Sequence, residues 1–342
     1  MPKIAVLIAP RTIEIHNREH AKPESQEVVI AVEAAGICGT DLALFSGDYQ
    51  VQLPLVPGHE FSGTVIKVGK EVDEKWLGQR VTAEINNTCV AYKNHLLCHT
   101  CKHGLPNHCQ VRSVTGIIDH DGAFAEEVVV PAGVLHAIPD SLDFITASLT
   151  EPLAAALQTF VVTPVTGKET VVVLGAGRIG ILVTFVAALK GLRVIAVSRS
   201  VSKRERALQY GATNAFSPAT ASLEVKGLTN GVGADIVVDA TGTPEGLNEA
   251  LSLVRPQGIV SIKTTCGILS QGLDVTRLVV DEICLQGSRC GPFGPAIEIL
   301  DQHQKQLRGL ITSIRALDEA RSALMSATTE DKVVFQIGSF LA

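Results

Sequence analysis

The chain has 342 residues, 46% of them hydrophobic and 19% charged, with a formal net charge of −6 at pH 7. That length predicts about two domains, and the apolar content argues for large buried cores and against a disordered chain. The acidic balance gives no electrostatic reason to expect nucleic acid or an anionic membrane as a partner, and no apolar run in the sequence reaches the ~18 residues a bilayer span needs. Aromatic residues make up only 4% of the chain, so Val, Ile, Leu and Ala must fill the cores, a composition suited to buried parallel strands and their covering helices.

In chain order, residues 1–8 form a short strand-like run broken by Pro10 and Arg11. This is not the pattern of a secretion signal, and a cytoplasmic location is expected. Up to about residue 155 short β-type runs, such as 27–32, 62–68 and 125–130, alternate with Gly, Pro and Asp, which reads as a mainly-β or barrel-like unit. From about 156 the pattern becomes strand–helix alternation. Strands are predicted at 170–174, 193–197, 235–239 and 258–263, and helices near 179–190, 201–210, 245–254 and 293–306. Repeated βα units imply a doubly wound parallel sheet with ligand at the carboxyl ends of its strands. A final strand at 332–337 is expected to return to the first domain, placing an active cleft between the two.

The most specific local signal is residues 171–180, where an apolar run breaks into Gly175-Ala176-Gly177-Arg178-Ile179-Gly180 and an amphipathic stretch follows. Strand, glycine turn and helix are the order a dinucleotide-binding fingerprint requires. Gly175 allows the tight turn, Gly177 admits a pyrophosphate to the backbone, and Gly180 lets the helix lie close to the strand. About 20 residues on, where an NAD-specific fingerprint carries Asp or Glu, stands Ser198, followed by Arg199 and Ser200, with Lys203 and Arg204 near. A neutral side chain beside cations suits a 2′-phosphate, so NADP is favoured over NAD. The plainer reading makes Arg199 and Lys203 solvated charges opening the next helix.

Three separated segments of the first domain carry further chemistry: Gly36-Ile37-Cys38-Gly39-Thr40-Asp41, Pro57-Gly58-His59-Glu60-Phe61 and Thr150-Glu151-Pro152. Each alone has an ordinary structural explanation. Together, one Cys, one His and one carboxylate make the mixed donor set of a catalytic Zn2+ with an open fourth position. Of the eight cysteines, Cys89, Cys98, Cys101 and Cys109 form a tight cluster, whereas Cys266, Cys284 and Cys290 come late. Such a cluster in a reducing compartment reads as a closed structural Zn2+ site rather than a disulfide framework. His95 could replace Cys89 as fourth ligand, and His99, His103 and His108 are also within reach.

These segments, together with residues 121–126 and Asp239-Ala240-Thr241-Gly242, occur in an order that resembles the zinc-containing medium-chain dehydrogenase/reductase (alcohol dehydrogenase) family, in its polyol and threonine dehydrogenase-like branch. The resemblance covers nearly the whole chain. It implies an α/β architecture: a GroES-like, mainly-β catalytic domain over 1–155 with a structural zinc lobe at about 86–112, a Rossmann cofactor-binding domain over 156–288, and a return to the catalytic domain over 289–342. It places catalytic zinc on Cys38, His59 and either Glu60 or Glu151. It also puts Thr40 on the hydroxyl that passes the substrate proton, and Thr241, Gly242 and the segment 287–289, with Arg289, at the nicotinamide end of the cleft. The implied activity is hydride transfer between a secondary alcohol, polyol or sugar-like, or its ketone, and NAD(P), with zinc polarising the substrate oxygen. A homodimer or homotetramer is expected.

One departure concerns the structural lobe, usually C-x2-C-x2-C-x7-C in the family. Here the first gap is eight, an apparent insertion of about residues 90–95, which leaves Cys89 and His95 as alternatives. Two rival functions stand beside the dehydrogenase: a metal-free NADPH-dependent enone or quinone reductase on the same two domains, and a non-catalytic zinc- and dinucleotide-binding protein. Substrate-pocket side chains are sought near 45–53, 92–97, 115–122 and 266–275.

Overall fold

A computed structural model describes residues 1–264 and 272–338. Cys266 and most of the candidate span 266–275 lie outside the described residues. The chain divides into two compact units, Met1–Glu151 with Phe293–Ala342, and Pro152–Pro292.

In the first unit the central strand is Glu27–Gly36, whose sequence EVVIAVEAAG is almost entirely buried. It is paired on both edges along its whole length. Glu60–Val68 runs antiparallel along it, Glu127–Pro131 pairs with its first half and Val333–Gln336 with its last three residues. Register shifts at Val29/Ile30 and Val32/Ala34 bend the strand so that the sheet curls. The tail strand Val333–Gln336 therefore belongs to this sheet, with Ser313–Ala316 parallel beside it. Aliphatic side chains dominate the core, joined by Phe124 and Phe335, whose rings meet edge-on at 4.9 Å.

The second unit holds a parallel sheet in the order Asn214–Phe216, Arg193–Val197, Thr170–Leu174, Ala234–Asp239, Val254–Ile262, Cys284–Gly287. Counted along the unit this is 3-2-1-4-5-6, the doubly wound order, and its switch point falls where Thr170–Leu174 meets Ala234–Asp239. The strands Asn214–Phe216 and Cys284–Gly287 and the helices Pro218–Leu228 and Val275–Val280 are not apparent from periodicity. They are short, or carry no clean apolar stripe.

The stretch Phe144–Val162 corrects one expectation. By length and composition it could cross a membrane, with a mean hydropathy of 1.3, but 72% of it is buried within the protein. It is a mostly buried helical stretch, and burial accounts for its apolar composition.

Candidate active site

Cys38 caps the helix Gly39–Ser46 from its N-terminal side, with extended backbone at φ −92° and ψ 162°. Asp41, in the first turn of that helix, reaches back to accept the Cys38 N–H at 2.8 Å. Its other carboxylate oxygen accepts the Gly58 N–H at 3.2 Å and lies 3.5 Å from His59 Nδ1. Asp41 is 1% exposed, so one buried carboxylate ties the thiol turn to the imidazole turn. Burial opposes a charge on His59, but Asp41 and Cys38 outweigh it and hold its pKa well above the usual imidazole range. Cys38, His59 and Glu60 each bring a ligand atom within 4.8 Å of the others. The Thr40 hydroxyl stands 3.8 Å from Cys38 Sγ.

The register of the sheet supplies a residue that the sequence does not mark. Glu60 opposes Gly36 on one side of the central strand, and Val334 opposes Gly36 on the other. Lys332, immediately before that tail strand, extends across Gly36, its Nζ meeting Glu60 Oε2 in an ion pair and donating to the Ile37 carbonyl at 3.1 Å. A Cβ on Gly36 would stand 2.6 Å from Glu60 Oε2 and 2.9 Å from Lys332 Nζ, so a side chain there would push the ends of this pair aside. Lys332 is 6% exposed and Glu60 2%. A cation beside an apolar strand is commonplace in sequence, and only pairing across 272 residues gives this one a partner.

Glu151 lies in the first turn of the helix Thr150–Val162, half-buried, and stands outside the Cys38–His59–Glu60 group. The donor set present, sulfur, imidazole and carboxylate, suits Zn2+ with a position left open.

The sulfurs of Cys89, Cys98, Cys101 and Cys109 form a second group within the same 4.8 Å limit. Backbone N–H groups of Cys89 and Cys98 point at Cys109 Sγ and Cys89 Sγ, at 3.5 and 3.4 Å, as thiolates holding a metal require. The inserted residues bulge rather than displace Cys89. Tyr92 N–H closes a turn on the Thr88 carbonyl, and its hydroxyl donates to Glu27 at 3.1 Å, which pins the loop to the central strand. Burial pushes the Tyr92 phenol up. His95, His99, His103 and His108 are exposed and outside the sulfur group.

In the second unit Gly177 caps the helix Arg178–Leu189, and a Cβ there would meet nothing within 4 Å, an open cradle at a helix N-terminus. Gly180 is the opposite case: its Cβ would stand 1.8 Å from the Gly175 carbonyl, so any side chain forces helix from strand. Arg178 and Ile179 are half-buried beside the cradle. At the neighbouring strand end, Thr241 donates through N–H and hydroxyl to Asp239, at 3.0 and 2.7 Å. Burial raises the Asp239 carboxyl, partly offset by those two bonds. Gly242 N–H donates to Thr264, and the Arg289 carbonyl accepts from Lys263. Ser198 is buried and Arg199 exposed at the end of Arg193–Val197, with Lys203 half-buried in the next helix. Arg204 is committed to the backbone, donating to the Ser198 and Arg199 carbonyls at 2.7 and 3.0 Å.

Comparison with known proteins agrees with this geometry. Residues 24–140 match the alcohol dehydrogenase GroES-like domain and residues 179–303 the zinc-binding dehydrogenase family. The chain is 30% identical over 337 residues to a sorbitol dehydrogenase of Bacillus subtilis (strain 168), covering 95% of this chain and 93% of that one. It is 35% identical over 248 residues to an L-threonine 3-dehydrogenase of Pyrococcus horikoshii, covering 70% and 69%. Among solved structures, a zinc-binding dehydrogenase from Sinorhizobium meliloti 1021 bound to NADP superposes with a TM-score of 0.88 at 29% identity, covering 98% of this chain and 99% of that one. The chain thus belongs to the zinc-containing medium-chain dehydrogenase/reductase family, in its polyol and threonine dehydrogenase branch, and is an NAD(P)-dependent alcohol dehydrogenase.

Proposed function

We propose that the protein interconverts a secondary alcohol of the polyol or sugar-like class and its ketone, with catalytic zinc on Cys38, His59 and Glu60 and with NADP preferred over NAD. The observation that carries this reading is the convergence of those three donors within 4.8 Å in a chain of dehydrogenase family. Zinc held there supplies a Lewis acid that favours loss of the substrate hydroxyl proton, and a bound nicotinamide accepts or returns the hydride.

The chain's own residues do the rest. Asp41 orients both turns through the Cys38 and Gly58 amides, and Thr40 accepts the substrate proton at its hydroxyl oxygen while passing its own proton outward to solvent. Lys332 neutralises Glu60 in a setting where both side chains are buried. Gly177 and the Arg178–Leu189 helix receive the pyrophosphate. Asp41 itself does not bind substrate, since its oxygens serve the backbone and its side chain is buried. Support for a polyol comes from the sorbitol dehydrogenase relative.

NADP preference rests on Arg199, the exposed guanidinium beside neutral Ser198, and on the NADP-bound relative. Arg199→Ala is expected to raise the KM for NADP about tenfold or more, as loss of a charge-assisted contact does, with little change for NAD. Equal effects on both cofactors would remove the assignment. The four sulfurs hold a structural zinc: Cys89→Ser is expected to lose one zinc per chain, and His95→Ala none.

A homodimer or homotetramer completes this reading, with the outermost strand Cys284–Gly287 offering an edge unpaired among the described residues. A cytoplasmic location belongs to the same reading, supported by the burial of the stretch Phe144–Val162 within the protein.

The deciding experiment scans purified protein with NADP and NAD against polyols, amino alcohols and simple alcohols while zinc per chain is measured. Two zinc ions and highest kcat/KM for a polyol with NADP are expected. Activity surviving Cys38→Ser without bound zinc points instead to a metal-free reductase, and cofactor binding without turnover to a non-catalytic protein.

A further inference from the structure

The histidines of the sulfur lobe are left over once four thiolates close their own site. His99 and His103 are spaced i and i+4, the spacing that puts two imidazoles on one face of a helical turn. His99 opens the turn His99–Lys102 and His103 is the residue that ends it. Both are exposed, and their ring centroids are 4.3 Å apart at a tilt of 45°. The claim rests on these two side chains and not on the helix end.

A second observation concerns the tautomer. His103 Nδ1 lies 2.8 Å from the His99 carbonyl. A carbonyl only accepts, so Nδ1 carries the proton and Nε2 keeps its lone pair. Metal-binding histidines are commonly arranged in this way, one ring N–H held by a backbone carbonyl while the other nitrogen ligates. The turn is also held from beneath. Cys98 and Cys101, on either side of Thr100, both belong to the sulfur group, and Lys102 N–H donates to the Cys98 carbonyl at 3.0 Å. Gln110 Oε1 accepts the His99 N–H at 3.2 Å. A pair mounted on a clamped turn loses little backbone freedom when it chelates.

We propose that His99 and His103 form an accessory site for one divalent transition-metal ion of the class that imidazole suits, Zn2+, Ni2+ or Cu2+. It is separate from the four-sulfur site. Two protein nitrogens and water complete its coordination, so the ion is labile where the thiolate-bound ion is retained.

The test titrates untagged, zinc-loaded full-length protein, freed of loose metal by gel filtration, with Ni2+ by calorimetry, alongside His99→Gln and His103→Gln. One further equivalent is expected in the parent. Loss of an outer partner of a metal ligand already costs about 10–100-fold in affinity, so each variant, missing a ligand itself, should bind at least about tenfold more weakly. Retained zinc per chain and alcohol turnover should stay unchanged in both variants. Ni2+ should also broaden the His99 and His103 imidazole proton resonances before those of other histidines. Equal Ni2+ affinity in parent and variants, or no uptake beyond the retained zinc, overturns the proposal. Because turnover is read on the same samples, failure of the dehydrogenase reading is seen independently.

Discussion

Replacing His59 with Ala is expected to lower kcat/KM by at least about a thousandfold, a loss of about 4 kcal/mol of transition-state stabilisation, and to remove one of two zinc ions per chain. The side chain is 3% exposed and sits between Asp41 and Cys38, so nothing nearby can move in to take its place. A two-ligand remnant of Cys38 and Glu60 binds zinc too weakly to retain it, whereas the four-sulfur group is untouched. Steady-state kinetics and metal analysis on one sample check the prediction. A variant that keeps both zinc ions, or loses less than about tenfold in kcat/KM, would show that His59 does not hold the metal. Cys101→Ser is the reciprocal control, because it should remove the other ion while turnover is lost only as far as the lobe unfolds.

The second large effect concerns Lys332. In the metal-free protein, Lys332→Met leaves the Glu60 carboxylate buried beside the Ile37 carbonyl with its cation gone. Breaking one partner of a buried ion pair costs about 3–5 kcal/mol, to be read as a lower urea midpoint. Pairing the change with Glu60→Gln should return most of that loss, since the doubly altered chain buries no unpaired charge. Zinc supplies an alternative positive charge at Glu60, so the loss should shrink when the protein is zinc-loaded. A single-variant loss below about 1 kcal/mol would mean that water reaches Glu60 in solution. A loss equal with and without zinc would mean that Glu60 does not face the metal.

The parts of this architecture that were legible in the sequence are those whose physics is local. The run from Val171 to Gly180 names its own strand, turn and helix, because the positive φ of Gly175 and the approach of Gly180 to the Gly175 carbonyl are set within ten residues. Cys98 and Cys101 lie on one short turn, so their spacing alone announces a metal knuckle. The core strands were legible because burial on both faces demands unbroken apolar runs. The short strand Asn214–Phe216, half-buried throughout, gave no such signal.

Chain chemistry by itself determined which donors this protein possesses and the kinds of unit that carry them: a β-rich half with thiol, imidazole and carboxylate in glycine turns, and a βα half with a phosphate cradle. Tertiary structure decided which donors meet. It groups Glu60 with Cys38 and His59 within 4.8 Å, a group that does not include Glu151, keeps Cys89 among the sulfurs with Tyr92 pinned to Glu27, and turns Asp41 inward to the backbone. It also finds Lys332 for Glu60. The physical reason is that strand register and burial are collective. Lys332 lies across Gly36 from Glu60 because three strands distant in sequence share a sheet, a relation that residues near either one do not encode.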